Sequence, residues 1–153
     1  MHVALVTETY PPDVNGVALT VQNLALGLRD SGTRVEVIRP DRPGEGDGGC
    51  DTLDDVRMPG AALPRYPGLR FGWPAGRALC RRWKAARPDA VYVATEGPLG
   101  WSALNAARTL GIPVATGFHT RFDQYMSRYG IGLLAPFAFA WMRYFHNRER
   151  RQQ

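Results

Sequence analysis

A chain of 153 residues fits one domain with one core, able to bury about two-thirds of its unfolded surface. Its 44% hydrophobic and 22% charged residues exclude a disordered or fibrous protein, and 17 Gly and 12 Pro point to shaped loops between regular elements. The net charge of +5 is carried almost wholly by arginine and favours anionic partners, but no helix-turn-helix, zinc-finger or RNA-binding signature accompanies it, so nucleic acid is not an expected partner.

The segment His2 to Val6 is a short apolar run that stops at Thr7 and Glu8, as a buried parallel strand does on entering a loop. It lacks the basic flank of a signal peptide. After the loop ETYPPDVNG, Asn15 is placed to cap a helix on which Val17, Val21, Leu24, Ala25 and Leu28 recur at helical spacing, and Gly32 closes it. Arg34 to Arg39 alternates and is rich in β-branched residues, which predicts a second strand reached by a right-handed crossover.

Residues 40–55 have no apolar period and read as a mobile surface loop. A short strand around Val56 to Met58 and an irregular stretch through Pro74 precede a helix running to about Ala86, with Leu79 and Trp83 inward. Its outer face carries Arg77, Arg81, Arg82, Lys84 and Arg87, which suits either a solvated surface or an anionic lipid surface. Asp89 to Ala94 predicts a fourth strand, and a helix follows with Trp101, Leu104, Ala107 and Leu110 on one face. Pro113 to Thr116 predicts a fifth strand, and Ile131 to His146 a final helix too short to span a bilayer. That helix fits a core element or an apolar-then-basic interfacial one.

Strand and helix thus alternate, which predicts an α/β fold: a doubly wound, Rossmann-like parallel sheet of order 3-2-1-4-5. Cys50 and Cys80 have neither metal-ligand spacing nor the pattern of a disulfide framework, so a reducing, cytoplasmic setting is expected. GxGxxG is missing after the first strand and no GxxxxGK[ST] loop occurs, which argues against dinucleotide and P-loop readings.

In such a sheet the loops leaving strand carboxyl ends converge at the switch point, where ligands bind. Asn15, Gly16 and Val17 open a helix whose free N–H groups and dipole suit an anion, although a capped helix after an Asn-Gly turn explains the same residues. His119 follows the fifth strand among polar and aromatic neighbours that include Arg121, Asp123 and Tyr125. Those side chains suit a sugar or phosphate pocket, while a structural histidine remains the plainer alternative.

Taken together, TETYPPDVNGVA, TEGPLGW and GFHTRFDQYMSRYG resemble the N-terminal domain of retaining GT-B glycosyltransferases of family four, of the mannosyltransferase and sulfoquinovosyl-diacylglycerol synthase type. The resemblance implies hexose transfer, mannose or glucose in type, from a nucleotide diphosphate sugar donor to a lipid or glycan acceptor, with no metal and no cofactor. It implies that Gly16, with Asn15 and Val17, lies beside the donor phosphate, and that His119 is the catalytic residue beside the transferred sugar. Glu8, Tyr10, Glu96, Arg121, Asp123 and Tyr125 are the expected acceptor contacts.

Arg121 departs from the HTNFD that such enzymes commonly carry and is expected to add a phosphate or acceptor contact. Residues 1–147 then form the acceptor-side domain and 148–153 a polar tail. The C-terminal donor-binding domain has no counterpart in this sequence, and the chain is expected to be inactive alone. The competing expectation is a non-catalytic module that binds an acceptor or makes a peripheral contact with an anionic membrane at the inner face of the plasma membrane. A receiver-like domain shares the strand order but fits poorly, since Glu8 lacks the clustered acids such a site requires.

Overall fold

The computed structural model describes residues 1–45, 53–62 and 70–117, and the chain separates into two compact units, Met1–Gly117 and Phe118–Gln153. In the first unit, five strands form a parallel sheet: β1 (His2–Val6), β2 (Arg34–Pro40), β3 (Asp54–Met58), β6 (Ala90–Val93) and β7 (Val114–Thr116). Their order is β3-β2-β1-β6-β7, which is the expected doubly wound order. Val3 faces Val35 on one side and Ala90 on the other, so β1 lies at the centre of the sheet.

The central strands are buried on both faces because helices cover both sides. Val3, Leu5, Val35 and Val37 join Val21 and Ala25 of α1 (Gly16–Asp30) in one core cluster, with Val17 and Leu28 packed against it. Ala4, Val6 and Ile38, at alternate positions of the same strands, are fully buried as well, and α3 (Pro98–Thr109) packs on β1, β6, β7 and α2 (Gly76–Ala85). Helix α1 ends as its sequence suggests: Gly32 adopts φ 86°, which costs a residue without Cβ little, and its N–H caps the Arg29 carbonyl.

Four expectations change. The stretch read as irregular contains an antiparallel hairpin, β4 (Gly60–Ala62) with β5 (Arg70–Gly72), whose small and short strands leave no apolar alternation to read. The supposed surface loop before β3 is drawn inward at its ends: Arg39, only 5% exposed, hydrogen-bonds Glu45 at 2.9 Å and Asp55 at 2.8 Å. Burial opposes the Arg39 charge, but hydrogen bonds and charge from Glu45 and Asp55 outweigh it and raise its pKa above the ordinary value. Helix α3 buries Leu99, Ala103, Leu104, Ala106 and Ala107, while Trp101 and Leu110 are half-buried, because the helix is covered on more than one side.

The basic face of α2 is also divided. Arg77, Arg81 and Lys84 are exposed, whereas Arg82 donates to Glu36 at 2.8 Å and Arg87 donates to the carbonyls of Leu110 and Gly111. The final helix and tail lie outside the described residues.

Candidate functional site

Of the segments that leave the carboxyl edge of the parallel sheet, those after β1 and β6 carry expected site residues among the described residues. The loop after β1 is tied internally: the Thr9 hydroxyl donates to Asp13 Oδ2 at 3.0 Å, Tyr10 N donates to the same oxygen at 3.3 Å, and Asn15 Nδ2 donates to Thr9 Oγ1 at 2.7 Å. The other side of the Asn15 amide caps α1, with Oδ1 accepting from Ala18 N at 2.9 Å. Leu19 N is satisfied by the Asn15 carbonyl. Among the described residues, the N–H groups of Gly16 and Val17 have no acceptor. Gly16 is exposed and a Cβ there would meet nothing within 4 Å, so this helix start presents two backbone donors and a positive dipole end to open space. Val17 turns its side chain toward the core, which leaves its backbone as the group on offer.

Glu8, one residue beyond Thr7, is 8% exposed and both its oxygens are engaged. Oε2 accepts from Gly72 N at 2.8 Å, and Oε1 from Leu99 N at 3.1 Å and Gly100 N at 3.4 Å. The carboxylate therefore caps α3 from another element, where Gly97 at the N-cap offers no side chain. A Cβ at Gly97 would collide with this carboxylate and one at Gly72 with Leu99, so glycine is required for the close approach at both. Burial is the main influence on Glu8 and raises its pKa to about 7, against the three N–H donors, which lower it. Such a group holds three segments together and offers no free oxygen lone pair as readily as an exposed acid does.

Tyr10 packs on the core, with the Arg39 guanidinium 6.0 Å from its ring centroid. Glu8 and Tyr10 line one narrow cleft with Asp13, Arg39, Pro40, Arg42 and Arg70, and Asp13 is ion-paired with Arg42. Glu96 is half-buried in the loop from β6 to α3, next to Thr95, whose hydroxyl accepts from Glu8 N at 2.7 Å. The structure thus brings Glu8, Tyr10 and the capped start of α1 onto one edge. His119, Arg121, Asp123 and Tyr125 lie outside the described residues. Among those described, no cluster of His, Cys, Asp or Glu is placed to hold a metal ion.

Sequence reasoning missed Asp13 and Arg39. Asp13 carried a local signal, a polar residue four positions after Thr9 and two before a helix cap, typical of side chain-to-backbone loop bonding. Arg39 carried none, because its partner Asp55 is 16 residues away and the pairing exists only once β3 lies beside β2.

A family model described as Glycosyltransferase Family 4 matches residues 14–151. A "GDP-mannose-dependent alpha-mannosyltransferase" from Mycobacterium tuberculosis (strain CDC 1551 / Oshkosh) is 36% identical over 150 residues, 95% of this chain and 39% of that protein. An "Alpha-monoglucosyldiacylglycerol synthase" from Streptococcus pneumoniae is 27% identical over 88% of this chain and 30% of its own length. The chain therefore spans at most about two-fifths of these curated relatives. Among solved structures, sucrose-phosphate synthase from Thermosynechococcus elongatus superposes with a TM-score of 0.58 at 15% identity, over 82% of this chain and 35% of that one, a likeness of fold.

Proposed function

The chain belongs to Glycosyltransferase Family 4, and from that premise we propose that it is the N-terminal, acceptor-side domain of a retaining GT-B enzyme. The reaction moves a mannose- or glucose-type hexose from a nucleotide diphosphate sugar to a hydroxyl of a lipid or glycan. The observation that carries this reading is the start of α1: Asn15 satisfies Ala18 N, and the Gly16 and Val17 N–H groups have no acceptor among the described residues, at a backbone position with room beside it. As the donor bond breaks, negative charge grows on the leaving diphosphate, and preorganised N–H dipoles stabilise that charge more than the charge of the ground state. His119 positions the transferred sugar, Tyr10, Glu96, Arg121, Asp123 and Tyr125 contact the acceptor, and Glu8 shapes that side through the loops it joins.

On this reading the nucleotide is bound by a second domain, and this chain alone transfers nothing. The test is a two-domain protein carrying this sequence, assayed with nucleotide sugar and acceptor, with product anomeric configuration read by NMR. His119→Ala is expected to lower transfer by roughly a hundredfold or more; an unchanged rate removes His119 from the chemistry, and an inverted product removes retention.

A second reading, a membrane-surface contact at the cytoplasmic inner face, is favoured by α2. Its exposed side carries Arg77, Arg81 and Lys84 with no acid in the helix, and Trp73, 51% exposed, stands just before it. Among the described residues no helix is long and apolar enough to cross a membrane. Flotation with anionic but not neutral liposomes at low salt supports this contact, and no flotation ends it.

A further inference from the structure

The loop from β1 to α1 is ordered around one buried carboxylate. Asp13 Oδ2 accepts from the Thr9 hydroxyl at 3.0 Å and from Tyr10 N at 3.3 Å, and Thr9 Oγ1 in turn accepts from Asn15 Nδ2 at 2.7 Å. The residue that caps α1 is thus tied to Asp13 through a single hydroxyl. Oδ1 of the same carboxylate pairs with Arg42, which comes from the segment after β2. Arg42 is itself anchored to the sheet. Glu45 N donates to the Arg42 carbonyl at 3.3 Å, closing a turn over Pro43 and Gly44, and Glu45 accepts from Arg39 of β2 at 2.9 Å and from Arg57 of β3 at 3.2 Å. Arg39 lines the same cleft, but Glu45 and Asp55 already match its charge, so it does not take the place of Arg42 on Asp13.

Asp13 stands three residues before Gly16, so the two backbones lie within about 11 Å of each other. At that range, and buried from solvent, an unbalanced negative charge opposes any anion at the helix start. We propose that Arg42 is a positioning residue of the donor-phosphate site, acting through Asp13: it fixes the carboxylate that orders the entry to α1 and cancels the charge that would repel a diphosphate there. The inference rests on the role proposed above for the α1 start. Asp13 then orders the loop through its oxygens without a net charge, and the affinity of the helix start for an anion follows the summed charge of residues 13 and 42.

The probe is inorganic pyrophosphate, titrated at low salt into the whole 153-residue chain while the Gly16 and Val17 amides are followed by NMR. Both amides of the wild type are expected to shift to saturation. Arg42→Met leaves the pair negative and is expected to weaken binding roughly tenfold. Adding Asp13→Asn to Arg42→Met makes the pair neutral again and is expected to return the affinity to within about threefold of wild type, as is Arg42→Lys alone. Asp13→Asn by itself keeps an oxygen for Thr9 and Tyr10, leaves the pair positive, and is expected to bind at least as tightly as wild type. A pair that only braces the loop gives a different order, with each single variant weaker than wild type and the double variant no better. Wild-type affinity in Arg42→Met, or a double variant as weak as Arg42→Met, therefore overturns the proposal and leaves the donor-phosphate reading standing. No shift of Gly16 and Val17 in the wild type removes that reading and this inference with it. If Arg42→Met does not fold, Asp13→Asn decides, and weaker binding than wild type overturns the proposal.

Discussion

Glu36 and Glu8 are both sunk into the same sheet, at 1% and 8% exposure, yet they are accommodated by different means. Glu36, on β2, receives Arg82 Nε and Trp83 Nε1, each at 2.8 Å, with His2 Nε2 3.9 Å away. Among the described residues, Glu8, at the carboxyl edge, receives only backbone N–H groups, from β5 and from the start of α3. A side-chain cation balances a buried charge outright, whereas backbone dipoles offset only part of the desolvation cost. The first arrangement belongs to scaffold and the second to an edge where segments from different parts of the chain meet, which is where doubly wound sheets bind ligands.

Breaking the Glu36 arrangement carries the largest expected effect. Arg82 is 36% exposed, so the pair itself is screened, but Arg82→Met leaves a fully buried carboxylate with an indole as its main donor. A loss of about 3 kcal/mol, seen as a fall of roughly 6–12 °C in Tm, is expected by calorimetry. The corresponding insult at Glu8 is Gly97→Ala, which drives a methyl into the carboxylate; about 2 kcal/mol and a local shift at the α3 start are expected by denaturant unfolding. A tolerated alanine there would mean that Glu8 is not held as described.

The pH dependence sharpens the contrast further. A Glu8 pKa raised from 4.5 to about 7 means that the folded chain binds the proton more tightly than the unfolded one. The stability it contributes is full below about 4.5 and is lost as pH rises through about 7, at up to about 1 kcal/mol per pH unit. Glu8→Gln is expected to flatten that slope in thermal melts taken across the window. The smallest effect is the control at the same edge: Asn15→Ala removes a cap from α1 and touches neither glutamate, costing about 1 kcal/mol with the pH slope retained.

Much of the scaffold was legible because its signals are local. The apolar run His2–Val6, the Asn15 cap, the closing Gly32 and the β-branched Arg34–Pro40 each depend on neighbours within a few residues, and each element appears with the expected bounds to within a residue or two. The β4–β5 hairpin escaped because Gly60, Ala61 and Ala62 carry no strand period; β4 is formed by pairing with β5 across the intervening chain. At the candidate site, Asn15 and Gly16 were legible for the same local reason. Glu8 was read as an acceptor contact from its place after the first strand, but the groups that bond it were not legible, because they lie at Gly72, 64 residues away, and Leu99, 91 residues away.

Residue type and spacing by themselves determined the alternation of strand and helix, the strand order that follows from handed crossovers, and the capped start of α1. Tertiary structure decided which charges are paired and which are sunk among backbone dipoles: Arg39 with Glu45 and Asp55, Arg82 with Glu36, and Glu8 beneath the hairpin. The reason is that periodicity encodes which face of an element is apolar, while the partner of a buried charge is fixed only when segments distant in the chain are brought to hydrogen-bond distance.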